Sequence, residues 1–362
     1  MPRPEQTRFG QPVANYRLNG KGFPFETEHE VPIDEDTVKR LSTASVAIGS
    51  PTPPANWKDI LREIGTKLLA ALSKDRYFMT LVTQGLGEGG EETSARVRFV
   101  VKPDPPDMYG LALEAVLCPL APDEYWMLSA PVYRRVLVNE PSTGGYLFTG
   151  GQRINCLIID ATTPGLVGDP ADPVALLRPI PNVSKECEWV EELLVQNKSG
   201  FNIGDVRLLR NQPQKPPLAQ QVKEALESRD WGIVHYGGHS HYDNRNNTGY
   251  VFFPGSPIES VEMKRFSDWL RRVAFTYFSS CDSGAGPFVF ELAKRRVSNI
   301  LGFRWEIDDK YAFEYAKEFY QSLFGNRSLE QAFLSARKRM YKDHADDRIW
   351  AAPILIKQLS DS

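Results

Sequence analysis

Two short polar segments of this 362-residue sequence contain side chains that could carry out nucleophilic catalysis. The apolar run GIVHY leads through two glycines to His239, and the apolar run AFTYFS leads through Ser280 to Cys281. A cysteine attacks as its thiolate, and a nearby histidine can hold it in that form and transfer the proton. An isolated cysteine is usually a small buried packing residue, but the matching histidine favours a catalytic interpretation.

The surroundings of both residues suit the same chemistry. Cys281 comes just before a predicted helix, whose N-terminal amides would favour a thiolate and could bind an oxyanion. Gly237 and Gly238 permit unusual backbone angles ahead of His239, and the glycines after Cys281 leave room for a substrate backbone. The pattern therefore predicts a cysteine nucleophile paired with a histidine.

The segments that must position these residues alternate between short apolar runs and helical patterns. The predicted strands are 154–160, 206–209, 232–236, 274–279, 300–303 and 353–357. The predicted helices are 184–196, 218–227, 261–272, 288–296, 310–324 and 328–342. This alternation is typical of an α/β fold with a mostly parallel sheet and helices on both faces. Catalytic groups gather beyond the carboxyl ends of such strands, where His239 and Cys281 lie.

The first 150 residues follow a less regular pattern. Residues 1–50 are rich in proline, glycine and charge, which predicts an extended arm. Apolar spacing predicts a helix at 57–72, and alternation predicts strands at 95–101 and 132–138. The predicted organisation is an extended arm, a smaller mixed α/β N-terminal half of regulatory or structural role, and a catalytic domain, with bounds 1–50, 51–150 and 151–362.

Composition and charge argue against several classes of partner. Lys plus Arg is 43 and Asp plus Glu is 46, so the net charge of −3 gives no general attraction to nucleic acid or to an anionic membrane. No apolar run approaches the roughly 18 residues of a membrane span, so we expect no membrane insertion. The four cysteines are widely separated and form no CxxC pair, which indicates reduced thiols. We expect a cytoplasmic protein without a metal or cofactor.

The two motifs resemble those of a known family. DWGIVHYGGHSHYD is similar to the histidine motif, and FTYFSSCDSGAG to the cysteine motif, of the CHAT domain, a bacterial branch of the caspase-like cysteine proteases related to separase. The resemblance covers about residues 55 to 358. It implies a caspase-like fold, with His239 as the catalytic histidine and Cys281 as the nucleophile. It also implies an oxyanion hole formed by the backbone N–H groups of Ser240 and Cys281, although the family usually has glycine where Ser240 stands.

The loop after the strand at 300–303 and the residue beside the nucleophile are candidates for a substrate pocket. The candidates are Asp282, Trp305, Glu306 and Asp308. Acidic side chains there would favour a Lys or Arg side chain in the substrate. Asp308 and Asp309 could equally cap the helix that begins near Lys310, so pocket and cap remain alternative roles.

The family resemblance implies a cysteine endopeptidase that cleaves a specific protein partner. CHAT domains resemble regulated effectors of bacterial antiphage defence. The resemblance therefore implies a protein partner in defence, and a gasdermin-like pore former is one such partner. The activating partner or signal is not specified by the sequence. We also predict a latent resting state with a flexible polar loop at 241–248, and a solvated basic cluster at 337–339.

Two other interpretations remain open. His239, His241 and Asp243 spell H-x-H-x-D, the spacing of the metal-dependent hydrolases with a metallo-β-lactamase fold. Asn244 stands where that motif needs another histidine, so a dinuclear site would be short of ligands. The chain could instead be a catalytically silent caspase-like scaffold or binding module, and a Cys281→Ala variant would distinguish that role.

Overall fold

The fold is given by a computed structural model. The residues that the structure describes are 14–19, 29–30, 33–50, 52–75, 78–80, 82, 96–101, 110–136, 153–162, 177, 180–197, 201–243, 248–280, 287–295, 297–325 and 328–358. Cys281 and Asp282 lie outside these ranges, as does the centre of the polar loop at 244–247.

The described strands and helices alternate through the second half of the chain, as predicted. The strands are β1 (Ala14–Asn19), β2 (His29–Glu30), β3 (Arg96–Val101), β4 (Leu117–Cys118), β5 (Ala121–Tyr125), β6 (Val132–Val136), β7 (Ile154–Ala161), β8 (Ile203–Arg210), β9 (Trp231–Gly238), β10 (Ser240–Asp243), β11 (Thr248–Phe253), β12 (Glu259–Glu262), β13 (Val273–Ser279), β14 (Asn299–Phe303) and β15 (Pro353–Lys357). The helices are α1 (Glu35–Ile48), α2 (Trp57–Leu72), α3 (Pro181–Gln196), α4 (Leu218–Ser228), α5 (Met263–Trp269), α6 (Pro287–Lys294), α7 (Asp309–Phe324) and α8 (Leu329–Asp343).

A ten-stranded sheet forms the centre of the fold. Five of its strands are parallel and lie in the order β8, β7, β9, β13 and β14. β15 runs antiparallel beside β14 and parallel to β6, which in turn is parallel to β3. The α/β class with a mostly parallel sheet is therefore confirmed. The sequence predicts a domain boundary at residue 151, but strands from both sides of this position belong to the same sheet. β6 comes before residue 151 in the chain, and it lies beside β15, which comes after it.

The central strands are almost continuously apolar because both of their faces are covered. Every residue of β13 is buried, and so are all but one of β7 and of β9. On one side α3 packs against α7, and α7 against α8. The buried aromatic side chains of α7 belong to this core, and they are Tyr315, Phe319, Tyr320 and Phe324.

The N-terminal region differs from the extended arm that composition predicts. Residues 35–48 form helix α1, which begins at the cap residue Asp34, whose carboxylate accepts the Thr37 N–H at 2.8 Å. Val38, Leu41 and Ile48 recur at helical spacing and are buried, so the helix packs on the core. Proline and glycine are concentrated before and after this segment, and they obscured it.

The segment after His239 also differs from the prediction. β10 pairs antiparallel with β11, and β11 with β12, so both described ends of the predicted flexible loop at 241–248 are strands. The helix predicted at 261–272 begins at Met263 instead, because Val261 pairs with Val251 in this small sheet. Helix α5 is followed by a 3-10 turn at Leu270–Arg272.

The basic cluster predicted at 337–339 is not uniformly solvated. Arg337 lies on the inner face of α8 and is fully buried. Its guanidinium donates to the carbonyl oxygens of Trp350 at 3.1 Å and Pro353 at 2.6 Å. The prediction was wrong for this residue because adjacent positions on a helix face different directions.

Candidate active site

The carboxyl ends of β7, β9 and β13 meet at one edge of the sheet. Gly238 pairs with Ala161 of β7, and Gly237 pairs with Ser279 of β13. His239 follows β9 and Ser280 follows β13, so the structure brings the histidine to the edge from which the chain continues to Cys281. His239 and Ser280 are both buried.

The backbone of His239 is held by hydrogen bonds to its carbonyl oxygen. The Phe252 N–H of β11 donates to this oxygen at 3.1 Å, and the Tyr236 hydroxyl lies 2.8 Å from it. The same hydroxyl lies 2.8 Å from the Phe252 carbonyl oxygen. Burial raises the pKa of Tyr236 well above its usual value, so the hydroxyl keeps its proton. The small β10–β11–β12 sheet thereby fixes the main chain at the histidine.

The two glycines before His239 are required by close packing. A Cβ on Gly237 would lie 2.7 Å from Val183 Cγ1 and 2.8 Å from Cys187 Sγ, and one on Gly238 would lie 2.8 Å from Ala161 Cβ. Neither glycine has a left-handed φ, so the unusual backbone angles predicted from sequence are absent at both positions. Their role is to let β9 pass close to β7 and α3.

A hydroxyl pair joins the two strand ends directly. Ser280 Oγ donates to Ser240 Oγ at 2.6 Å, which links the residue before Cys281 to the residue after His239. Ser279 Oγ donates to a buried carboxylate oxygen of Glu186 at 2.9 Å. Both residues that lead into Cys281 are therefore anchored, and Ser240, which departs from the usual family glycine, takes part in the anchoring.

A buried polar cluster lies beneath this edge. His235 Nε2 is 3.2 Å from Glu186 Oε1, and His235 Nδ1 is 3.2 Å from the Tyr320 hydroxyl. The imidazole also stacks on the Tyr277 ring, with centroids 4.9 Å apart. Burial raises the pKa of Tyr320 and Tyr277, so both remain neutral phenols. The sequence motifs contain no signal for Glu186, which lies on α3, far from both motifs along the chain.

A small depression opens beside these strand ends. It is lined by Ile180, Val183, Gly238, Ser279, Ser280, Ile307, Asp309 and Ala312. Most of its wall is apolar, and Asp309 is its acidic side chain. The Asp309 carboxylate accepts the Asn182 backbone N–H at 2.8 Å and the Asn182 side-chain amide at 3.0 Å, which joins the first turns of α3 and α7.

The described residues that the sequence predicts as pocket residues do not line this depression. Asp308 is exposed and caps α7, accepting the Lys310 N–H at 2.8 Å, so capping is its observed role. Trp305 is buried against Gly49, and Glu306 is half-buried; neither lines the depression. Asp282 lies outside the described residues. Sequence reasoning missed Asp309 as a lining residue because the choice between adjacent aspartates depends on where α7 begins.

Two of the three H-x-H-x-D residues lie on one strand, and the third lies just before it. His239 follows β9, whereas His241 and Asp243 lie on β10 and pair with Tyr250 and Thr248 of β11. Within the ranges that the structure describes, no group of three or more His, Cys, Asp or Glu residues could hold a metal ion.

The hydroxyl pair allows a first prediction. Replacing Ser280 or Ser240 with alanine removes the buried bond between the two hydroxyls, so each variant is expected to lose about 0.5–1.5 kcal/mol of unfolding free energy. The double variant is expected to lose less than the sum, by about 0.5–1.5 kcal/mol, in a double-mutant cycle measured by urea unfolding. Pairing Ser240→Ala with Ser267→Ala, a buried serine on α5, is the matched control and should be additive. Additive losses for Ser240 and Ser280 would show that the bond does not couple the strand ends.

Comparison with known proteins identifies the family. Residues 63–358 match the CHAT domain, which is most of the chain. The chain therefore belongs to the CHAT domain family, and the predicted membership is confirmed. None of the curated proteins matches the chain.

Several solved structures of cysteine proteases are similar in fold. The Arg specific cysteine proteinase gingipain R has a TM-score of 0.41 and 11% identity, over 64% of this chain and 54% of that chain. The complex of Porphyromonas gingivalis RgpB pro- and mature domains has a TM-score of 0.46 and 11% identity, over 90% of this chain and 76% of that one. The Saccharomyces cerevisiae separase–securin complex has a TM-score of 0.40 and 12% identity, over 91% of this chain and 23% of that chain. The chain thus spans about half the length of gingipain R and about a quarter of the separase chain.

Family membership supports a cysteine peptidase with a caspase-like fold. Among the described residues, no helix is both long and apolar enough to cross a membrane.

Proposed function

We propose that this protein is a cysteine endopeptidase that cleaves a specific protein partner, with Cys281 as the nucleophile and His239 as the proton-transfer group. The observation that carries the proposal is the Ser280–Ser240 hydrogen bond, at 2.6 Å. It links the residue that follows His239 to the residue that precedes Cys281. Two polar motifs 40 residues apart in sequence are thereby held at one sheet edge.

The reaction proceeds by acyl transfer. The Cys281 thiolate attacks the carbonyl carbon of the substrate peptide bond and forms a tetrahedral oxyanion, which the backbone N–H groups of Ser240 and Cys281 are proposed to bind. His239 then gives a proton to the leaving amine as the C–N bond breaks. Water, deprotonated by His239, attacks the thioester and releases the second product with the thiolate regenerated.

The depression beside the strand ends is proposed to receive the substrate side chain that precedes the cleaved bond. Ile307, Val183 and Ala312 offer apolar contacts for an aliphatic stem, and the Asp309 carboxylate offers a partner for a terminal charge. This combination favours lysine or arginine. Asp282, beside the nucleophile, remains a second candidate for the same role.

The biological role is proposed to be that of a regulated effector in bacterial antiphage defence, acting in the cytoplasm. The protein partner would be a defence protein encoded nearby, such as a gasdermin-like pore former that cleavage activates. This role is the one that the resemblance of the two sequence motifs to the CHAT domain implies. The described cysteines, Cys118, Cys156 and Cys187, are free thiols, in keeping with a reducing compartment.

Cleavage of a neighbour-encoded protein tests the function. The unaltered protein and its Cys281→Ala variant are each co-expressed with the proteins encoded beside it, and new termini are mapped by mass spectrometry. We expect cleavage by the unaltered protein after lysine or arginine and none by Cys281→Ala, because the thiolate forms the acyl intermediate. Cys118→Ala is the matched cysteine control and should cleave normally, since Cys118 lies in the β4–β5 hairpin. A biological effect that survives in Cys281→Ala would favour a scaffold instead.

A further inference from the structure

We propose that the last residue of helix α1 and the two residues that follow it, residues 48–50, position the segment 304–309, which leads into the first residue of α7, and thereby shape the substrate depression. This inference rests on the proposed function, because it assigns a role in substrate binding to a segment of the N-terminal region. Its physical basis is a set of contacts from that region to Arg304 and Trp305, in the same short segment as Ile307 and Asp309, which line the depression.

The first contact is between Gly49 and Trp305. A Cβ on Gly49 would overlap Cδ1 of the Trp305 indole and lie 3.0 Å from Cγ. Gly49 has φ −74° and ψ −11°, a conformation that any residue adopts, so its backbone does not require glycine. The requirement is the close approach of the indole. Trp305 is itself buried, so it has little freedom to move away.

The second contact is made by Arg348 to the same α1 terminus. The Arg348 guanidinium donates to the carbonyl oxygens of Ile48 and Ser50, the latter at 2.6 Å. Arg348 begins a 3-10 turn that leads to Ala352, whose carbonyl oxygen accepts the Arg304 N–H at 2.7 Å. The α1 terminus and the base of the loop are thus tied to the same short segment.

The third contact anchors the loop to another part of the N-terminal region. The Arg304 guanidinium pairs with the buried carboxylate of Glu114, which Arg134 of β6 also contacts at 2.6 Å. Arg304 and Trp305 are therefore both fixed by residues that precede 150.

The loop transmits these contacts over a very short distance. Ile307 and Asp309 line the depression, and Ile307 is only two residues from Trp305, a span of at most about 7 Å. A shift of the Trp305 indole by the width of a methyl group therefore moves the wall of the depression. In this way α1 acts through Trp305 as a positioning element for substrate, without touching the reacting atoms.

The test adds a methyl group to Gly49 and measures both the loop and the reaction. In Gly49→Ala, amide hydrogen exchange in residues 304–309 is expected to accelerate about tenfold relative to the unaltered protein, since the displaced indole loosens the loop. With a peptide cut by the unaltered protein, KM is expected to rise about tenfold while kcat changes less than about threefold, because binding is lost and chemistry is kept. Ala47→Gln, an exposed change on the same helix, is the matched control and should change neither quantity.

A second variant keeps the test decisive if Gly49→Ala does not fold. Arg348→Gln removes the two bonds to residues 48 and 50 without adding volume, and it should change exchange and KM in the same direction. Unchanged exchange at 304–309 in a folded variant would overturn the proposal, and so would faster exchange with an unchanged KM. If the unaltered protein cleaves nothing, the proposed function fails, while the exchange result still decides whether α1 positions the loop.

Discussion

Replacing His239 with alanine is expected to lower kcat/KM for a peptide substrate by about 10²–10⁴-fold, the usual contribution of a general acid–base group. The imidazole follows β9 at the sheet edge, and its backbone is fixed by Tyr236 and Phe252, so its loss removes a positioned proton donor. The effect should fall on kcat, because the leaving amine needs a proton only as the bond breaks. Steady-state kinetics on the peptide that defines the cleavage site would measure it.

A neighbouring histidine supplies the control. His241 lies two residues further along the chain, on β10, and is half-buried. Because acyl transfer assigns it no role, His241→Ala should change kcat/KM by less than about threefold. In the metal-dependent alternative, His239, His241 and Asp243 would be ligands together. Equal losses in both alanine variants, with inhibition by a chelator, would therefore contradict the cysteine mechanism.

The edge at which His239 lies could be predicted from sequence because parallel strands place their carboxyl ends together. Helix α2 and strand β15 were predicted with the observed bounds, since their apolar spacing is regular. The β10–β11–β12 sheet was missed, although Ser240 and Tyr242 are buried and alternate with the partly exposed His241 and Asp243. The alternation was present, but polar and aromatic residues carried it, and such a run is typical of a loop.

The exact residues of the site depend on where helices begin and how strands are aligned, and local sequence patterns do not specify either. Asp308 and Asp309 are chemically alike, and only the starting point of α7 makes one the cap and the other a wall residue. The Ser240–Ser280 bond likewise requires β9 and β13 to be adjacent and aligned at Gly237 and Ser279. Pairings between distant segments are set by tertiary packing, which local patterns do not specify.

The ion cluster around Glu114 gives the second large prediction. Glu114 Oε1 is 2.6 Å from Arg134 Nε, Oε2 is 2.6 Å from Arg134 Nη2, and Oε2 also contacts Arg304. All three side chains are almost wholly buried. Glu114→Gln would leave two buried guanidinium groups without their counter-charge. It is therefore expected to lower the unfolding free energy by about 3–5 kcal/mol at pH 7, measured by urea unfolding.

An exposed ion pair provides the matched control for this loss. Asp346 contacts Lys58 at 2.5 Å, but its side chain is fully exposed. Asp346→Asn should therefore change the unfolding free energy little, because water and salt screen such a pair. Equal losses in the two variants would contradict the view that burial of the Glu114 cluster sets its contribution.

The pH dependence of the Glu114 contribution follows from the direction of its pKa shift. Burial raises the pKa of the carboxyl, but the charges of Arg134 and Arg304 outweigh burial and hold the pKa well below its usual 4.5. Below pH 4.5 the unfolded chain binds a proton that the folded chain does not, so stability falls as pH falls. The difference between the unaltered protein and Glu114→Gln should therefore be constant from about pH 6 to 8 and shrink as the pH falls below 4.5. A difference that grows on acidification would mean that the guanidinium pair does not hold Glu114 as a carboxylate.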